Sequence, residues 1–235
     1  TSASGQNAKS VLDRIVPGYY HRLSAVGDVE SSTCCANTAT ENRMMAKLMI
    51  DSVVQWAHDY HIDSFRFDLM GHQPRAVMLR LQAAVNAAAG KEVQLLGEGW
   101  NFGEVANSAR FVQASQLSLN GSGIGTFSDR ARDAVRGGGP GDNGNDQLRR
   151  QGYINGMFYD ANAAAAGSYR ASDLMQSADM VRVGLAGSLR SYRLRNYLDA
   201  NVTLEQISYG GNQPAGYVSQ PGEVVNYVEN HDNQT

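Results

Sequence analysis

Apolar positions recur along the chain at two different periods. Thr38-x-x-Glu41 has the form of a reciprocal capping box, and Met45, Leu48, Met49, Val53, Trp56 and Tyr60 follow it at helical spacing. The pattern predicts a helix of about five turns that ends near His61. Over residues 62–69 the period falls to two: Phe65, Phe67 and Leu69 alternate with Ser64, Arg66 and Asp68, which predicts a strand. Pro74 opens a second helix through Val77, Met78, Leu81 and Val85, and Gly90 closes it. Residues 93–96 form a short apolar run, predicted as a strand, that leads into Gly97-Glu98-Gly99-Trp100.

The second half is less regular. Phe127-Ser128-Asp129 starts a helical run over residues 130–136, and residues 137–145 are rich in Gly, Asn and Asp. Residues 137–170 read as an irregular loop insertion. A helix capped at Ser172 or its neighbour runs through Leu174, Met180, Val183 and Leu185, and residues 223–228 form a strand that delivers Glu229-Asn230-His231-Asp232. Helices and strands alternate without an internal repeat, which argues for an α/β fold with parallel strands joined by crossover helices. Gly137-Gly138-Gly139-Pro140-Gly141 follows no strand and lacks the Gly-Lys-Ser/Thr ending of a phosphate-binding loop, so it reads as a surface loop.

Composition narrows the class. The 235 residues are 42% hydrophobic and 18% charged, enough for one sizeable core, and single-domain α/β barrels run to about 250 residues. A net charge of −3 gives no basic footprint for nucleic acid. No apolar run approaches the roughly 18 residues of a membrane span. Residues 1–10 have neither the basic start nor the apolar core of a signal peptide. The chain stops at Asn233-Gln234-Thr235, directly after a run that reads as catalytic, and the expectation is an interior piece of one domain, cut at both ends. Cys34 and Cys35 are adjacent, which excludes a C-x-x-C zinc knuckle and leaves either two free thiols or a vicinal disulfide.

Asp68, Glu98 and Asp232 each stand at or just past the C-terminal end of a predicted strand, where the catalytic residues of a (β/α)₈ barrel gather. Period-two alternation puts Arg66 and Asp68 on one face of their strand, and a guanidinium there favours the ionised carboxylate that a nucleophile requires. A purely structural Arg–Asp pair fits the local pattern equally well. Glu98 lies between two glycines, which allow close approach of a ligand, and follows an apolar strand of the kind that suits a general acid. Gly-Glu-Gly is as often a simple turn. The remaining histidines (His21, His58, His61 and His72) show no metal-ligand spacing, and no Gly-x-Ser-x-Gly elbow marks a serine hydrolase.

Taken together, Phe65-Arg66-Phe67-Asp68, Gly97-Glu98-Gly99-Trp100 and Tyr227-Val228-Glu229-Asn230-His231-Asp232-Asn233 resemble three of the four signature segments of the α-amylase superfamily of retaining glycoside hydrolases. The intervening runs Asp28-Val29-Glu30-Ser31-Ser32-Thr33-Cys34-Cys35, Gly123-Ile124-Gly125-Thr126-Phe127-Ser128-Asp129-Arg130 and Ala134-Val135-Arg136-Gly137-Gly138-Gly139-Pro140 are similar to bacterial type I pullulanases. The missing segment, which ends in Asn-His on the third strand, is expected just before Thr1. The resemblance implies a partial (β/α)₈ TIM barrel, approximately strands four to seven, and an enzyme that hydrolyses α-1,6 branch linkages in starch-type glucans. It implies Asp68 as nucleophile, Glu98 as acid/base and Asp232 as third acid. Arg66 would orient Asp68, His231 and Asn233 would bind the sugar, and Trp100 would offer a stacking face.

The resemblance implies no cofactor for the chemistry, leaves a structural calcium unassigned, and suggests an extracellular or cell-surface location. The partner expected is an α-glucan, with no nucleic acid and no membrane span. Isoamylase, α-amylase and branching enzyme share the three acids, and a non-catalytic glucan-binding piece is the alternative from another class. The isolated chain is expected to be inactive.

Overall fold

A computed structural model describes residues 11–139 and 142–230. The chain divides into two compact units, Thr1–Thr126 and Phe127–Thr235.

The first unit opens with a one-turn helix, α1 (Leu12–Ile15), and an irregular segment. Then come α2 (Arg43–Tyr60), β1 (Ser64–Phe67), α3 (Arg75–Ala89) and β2 (Gln94–Gly97), followed by the single-turn α4 (Gln116–Leu119) and the start of β3 (Gly125–Ser128). β1 and β2 pair in parallel with Ser64 opposite Gln94 and Phe67 opposite Gly97. β2 and β3 are also parallel, with Gly97 opposite Thr126. The expected α/β class with a parallel sheet is therefore present. α2 ends as the pattern predicts, with His61 in the left-handed conformation at its C-cap. α3 occupies the predicted span and buries Val77, Met78, Leu81 and Val85, and Gly90 closes it at φ 66°.

Three local expectations need correction. The N-cap of α2 is Asn42, with no side-chain cap, because Glu41 is held by the Arg22 guanidinium and Thr38 bridges to His21. The capping box is absent. The buried face of α2 is Met45, Ala46, Val53 and Ala57, whereas Leu48, Trp56 and Tyr60 from the predicted stripe are exposed. Finally, residues 125–128 are a strand that hydropathy alone does not reveal.

The core of the first unit lies where α2 and α3 meet the sheet. It contains Val53, Met70, Met78, Leu81, Val85, Val93, Leu95, Leu119 and Ile124, with Phe65 and Phe67 packed against it. Burying a side chain such as Leu81 stabilises the fold by about 1.5–3 kcal/mol. The sheet-facing phenylalanines therefore fix which edge of β1 carries Arg66.

The second unit holds the end of β3 and α5 (Asp129–Arg136), α6 (Asn145–Arg149) and α7 (Ala171–Leu185). It also contains two antiparallel ribbons, β4 (Arg193–Arg195) with β5 (Asn201–Thr203) and β6 (Ser208–Gly210) with β7 (Gln213–Pro214), and it closes with β8 (Val224–Asn226), the neighbour of β3 in the sheet. α5 starts one residue earlier than the sequence suggests. α7 reaches from Ala171 to Leu185, close to the predicted span. It packs on α5 through Gly184, where any Cβ would collide with Ala131. The core is Ala134, Met180, Val183, Leu194, Leu204 and Ala215. Arg130 is fully buried between the rings of Tyr209 and Tyr217, 4.3 and 4.6 Å from their centroids. Arg132 donates to the Tyr227 hydroxyl at 2.5 Å, tying α5 to the segment after β8. Among the described residues no helix is long and apolar enough to cross a membrane.

Candidate active site

β1 and β2 end side by side, and the sequence places an acid just past each end. Asp68 follows β1 and Glu98 follows β2. Between them lies Arg66. One of its terminal nitrogens, Nη1, donates to Asp68 Oδ1, and the other, Nη2, donates to Glu98 Oε1 at 2.8 Å. The period-two reading of β1 is thus realised, since Arg66 and Asp68 share a face while Phe65 and Phe67 turn to the core. The structure adds that the same guanidinium reaches the neighbouring strand. A purely local Arg–Asp pair would not do so.

The two carboxylates differ in environment. The Asp68 side chain is 65% exposed, and the Glu98 side chain is 1% exposed. Glu98 Oε2 also accepts from the Leu69 backbone N–H at 2.7 Å. Leu69 can present that N–H because it sits in the left-handed region at φ 49°, turning the chain sharply after Asp68. The sequence suggests an apolar setting for Glu98. It is deeply buried, but its carboxylate is held by a cation and a backbone donor. Such an arrangement provides an exposed carboxylate able to attack and a second, fixed carboxyl beside it, with a cation to stabilise charge on either.

The backbone around these acids is tightly packed. Gly71 N donates to the Glu98 carbonyl at 2.8 Å, and a Cβ on Gly71 would run into the Trp100 carbonyl oxygen. Trp100 is half-buried and meets the Phe102 ring edge-on at 6.1 Å, and Phe102 in turn packs against His72 at 4.8 Å. His231, Asp232 and Asn233 lie outside the described residues. The segment that leads to them runs from β8 to Asn230.

Beneath these residues lies a buried polar cluster that sequence reasoning missed. Arg22, 1% exposed, donates to both Glu41 oxygens at 2.8 Å, to Glu104 Oε1 at 2.6 Å, and to the His72 carbonyl at 2.8 Å. Glu104 also accepts from Ser32 Oγ at 2.5 Å and from Asn37 Nδ2. Burial would raise the Glu104 carboxyl, but hydrogen bonds from Ser32 and Arg22 prevail and hold its pKa down to about 2. Burial lowers the His72 pKa; Glu104 opposes that shift and Arg22 adds to it. No local motif marks these residues. Cys34 and Cys35, in the loop that supplies Ser32 and Asn37, are joined as a vicinal disulfide, and no free cysteine is present among the described residues. Among the described residues no group of three or more His, Cys, Asp or Glu is placed to hold a metal ion.

No protein-family model matches the chain. Curated relatives match it from end to end. The chain is 46% identical over 237 residues to a pullulanase of Klebsiella pneumoniae, a match that covers all of this chain and 21% of the relative. It is 41% identical over 243 residues to "Pullulanase 1, chloroplastic" of Arabidopsis thaliana, covering 99% of this chain and 25% of the relative. A crystal structure of the maltotriose complex of a PulA mutant from Klebsiella pneumoniae superposes with a TM-score of 0.89 at 44% identity, over all of this chain and 25% of that one. The type I pullulanase of Bacillus subtilis in complex with maltose superposes with a TM-score of 0.64 at 27% identity, over 94% of this chain and 25% of that one. The chain is therefore homologous over its whole length to pullulanases, and it spans about a fifth to a quarter of their length.

Proposed function

We propose that the protein carrying this chain is a retaining glycoside hydrolase that cleaves α-1,6 branch linkages in pullulan, amylopectin and limit dextrins. The observation that supports this most is the Arg66 bridge, one guanidinium holding an exposed and a buried carboxylate at the ends of adjacent parallel strands. In this reading β1, β2, β3 and β8 are strands four to seven of a (β/α)₈ barrel, whose catalytic groups gather at the strand C-termini.

The two environments support the following division of roles. Asp68, with most of its side chain open to solvent, attacks the anomeric carbon; the glycosidic C–O bond breaks and a covalent glycosyl-enzyme forms. Glu98 donates a proton to the departing glycosidic oxygen. It then takes a proton from the water that attacks the same carbon and frees Asp68. Arg66 holds Asp68 correctly turned and releases Glu98 to the glycosidic oxygen as the sugar enters. Asp232 and His231 bind the hydroxyls of the distorted sugar, Asn233 adds a polar contact, and Trp100 offers a face for stacking. The reaction runs on carboxylates and takes no cofactor. An extracellular or cell-surface location is proposed from the resemblance of the signature runs, while the plant relative is named chloroplastic.

The test is hydrolysis of pullulan by the protein that carries this sequence. Maltotriose as main product supports α-1,6 cleavage, whereas panose or isopanose identifies an α-1,4-cleaving relative. Asp68→Asn and Glu98→Gln should each remove most turnover while leaving the protein folded. Near-normal turnover in either variant removes that residue from its role.

A further inference from the structure

The acids of the site depend on two segments of chain, the one after β1 and the one after β2, and Glu98 depends on both at once. Its own backbone belongs to the second segment, and its Oε2 is held by Leu69 N–H of the first. Asp68 differs, because its partner Arg66 stands on the same strand. Whatever fixes one segment against the other therefore fixes the Glu98 carboxyl and matters less for Asp68.

Arg22 occupies that position. Its Nη2 holds the first segment at the His72 carbonyl, four residues beyond Asp68. Its Nη1 holds the second at the Glu104 carboxylate, six residues beyond Glu98. Nε and Nη2 anchor the guanidinium on Glu41, next to the start of α2. The Phe111 ring lies 5.1 Å from the guanidinium carbon. Glu104 also lies 3.5 Å from His72 Nδ1, a second contact across the same junction. The packing below leaves no slack: a Cβ on Gly103 would strike the His72 ring. A buried cluster of one guanidinium and two carboxylates is weak evidence for stability, since apolar residues of similar volume often serve the fold as well. A planar fork with several fixed acceptors does, however, set a distance and an angle between the segments it joins.

We infer that Arg22, acting through Glu104 and the His72 carbonyl, is a positioning residue for the general acid/base Glu98. The inference rests on the roles proposed above for Asp68 and Glu98. It assigns function to a group with no direct contact to either acid. Arg22→Lys keeps the charge but cannot reach four acceptors from one nitrogen. Glu104→Gln keeps the shape and removes the charge that draws Arg22 to the second segment.

The experiment uses both variants in the protein that carries this sequence, with Glu98→Gln as reference. Two substrates are compared: pullulan, whose leaving oxygen needs a proton, and α-maltotriosyl fluoride, whose leaving group does not. Each variant should unfold cooperatively and lose about 10- to 100-fold in kcat on pullulan, the scale expected for a misplacement near 1 Å. KM should stay within about twofold, because ground-state binding is untouched. In kcat/KM, which reports the glycosylation step alone, the loss on the fluoride should be smaller by about fivefold or more, because only the acid role of Glu98 acts in that step. Equal losses in kcat/KM on the two substrates, or unchanged pullulan turnover in folded protein, would overturn the inference. If Arg22→Lys fails to fold, Glu104→Gln decides by the same ratio. Retained pullulan turnover in Glu98→Gln would overturn the acid/base assignment instead, and this inference with it.

Discussion

Gly99 stands between Glu98 and Trp100 with no room for a side chain, and Gly99→Ala is the substitution whose consequence the structure defines best. A Cβ there falls 2.7 Å from Thr126 Cγ2 and 3.2 Å from both the Ala114 carbonyl oxygen and the Gln116 nitrogen. Ordinary contact between carbons is about 3.5–4.0 Å, so roughly 1 Å must be found somewhere. Thr126 is 1% exposed on β3, and β-branched side chains are stiff at χ1. The Gly99 carbonyl is already clamped by the Gln116 N–H at 2.6 Å. The backbone of residues 98–100 is left to yield, and it carries the Glu98 carboxyl with it.

A shift of that size costs on the order of 100-fold in turnover, or about 2.7 kcal/mol in the barrier. Overpacking should cost the fold about 1–3 kcal/mol as well. Thr126→Ser removes the colliding methyl and on its own costs about 0.8 kcal/mol of buried surface. In the double variant the worst contact is gone, and kcat should recover about tenfold relative to Gly99→Ala, a coupling of at least about 1 kcal/mol. The assay is kcat and KM on pullulan with denaturant unfolding for the four proteins of the cycle. Normal turnover in Gly99→Ala, or strictly additive effects, would refute the steric argument.

Other outcomes follow from the same structure. The Glu104 carboxyl is depressed from 4.5 to about 2, so its stabilising contribution is complete above pH 4.5 and is lost as the pH falls through about 2. Urea midpoints should drop across that window, and Glu104→Gln should lower neutral stability and flatten the drop; an unchanged slope contradicts the linkage. The His72 imidazole is depressed below 6.5, so acidification below that value favours the unfolded chain, and a His72→Gln variant should lose this part of the pH dependence in the same titration. Leu81→Ala removes a fully buried side chain and should cost about 2–5 kcal/mol in urea unfolding, with cost rising with the cavity left behind. Residues 1–235 expressed alone should release no measurable reducing ends from pullulan, since the chain spans only 21% of its Klebsiella relative; normal turnover by that polypeptide would contradict the barrel reading.

The elements legible from hydropathy were those that bury a continuous stripe with local punctuation. α3 is the clearest case: Pro74 before it, Gly90 after it, and four apolar residues on one face all survive in the structure. α2 was legible in extent but not in detail, because its N-terminus answers to a tertiary partner. Glu41 would complete a capping box in an isolated peptide, yet a buried guanidinium 19 residues away claims its carboxylate. β3 escaped for a related reason. Gly125-Thr126-Phe127-Ser128 has one large apolar residue, and its strand identity comes from pairing to β2 rather than from its own pattern. The ribbons β4–β5 and β6–β7 are two or three residues per strand, too short for a period to register.

The site divides along the same line. Asp68 and Arg66 are two residues apart, so period-two geometry alone puts them on one face, and the structure agrees. The link from Arg66 to Glu98 spans 32 residues and needs the parallel register of β1 and β2 before it can be seen. Arg22 and Glu104 are 82 residues apart, and neither belongs to a recognisable run. Burial is what separates them from ordinary surface charges. An arginine 1% exposed, with its donors directed to the Glu41 and Glu104 carboxylates and to the Thr38 and His72 carbonyls, is there to hold a geometry. Groups that do chemistry must be able to meet substrate, so they sit at strand ends that a sequence can reveal. Groups that hold the chemistry in place need only reach each other, and the tertiary fold alone makes them neighbours.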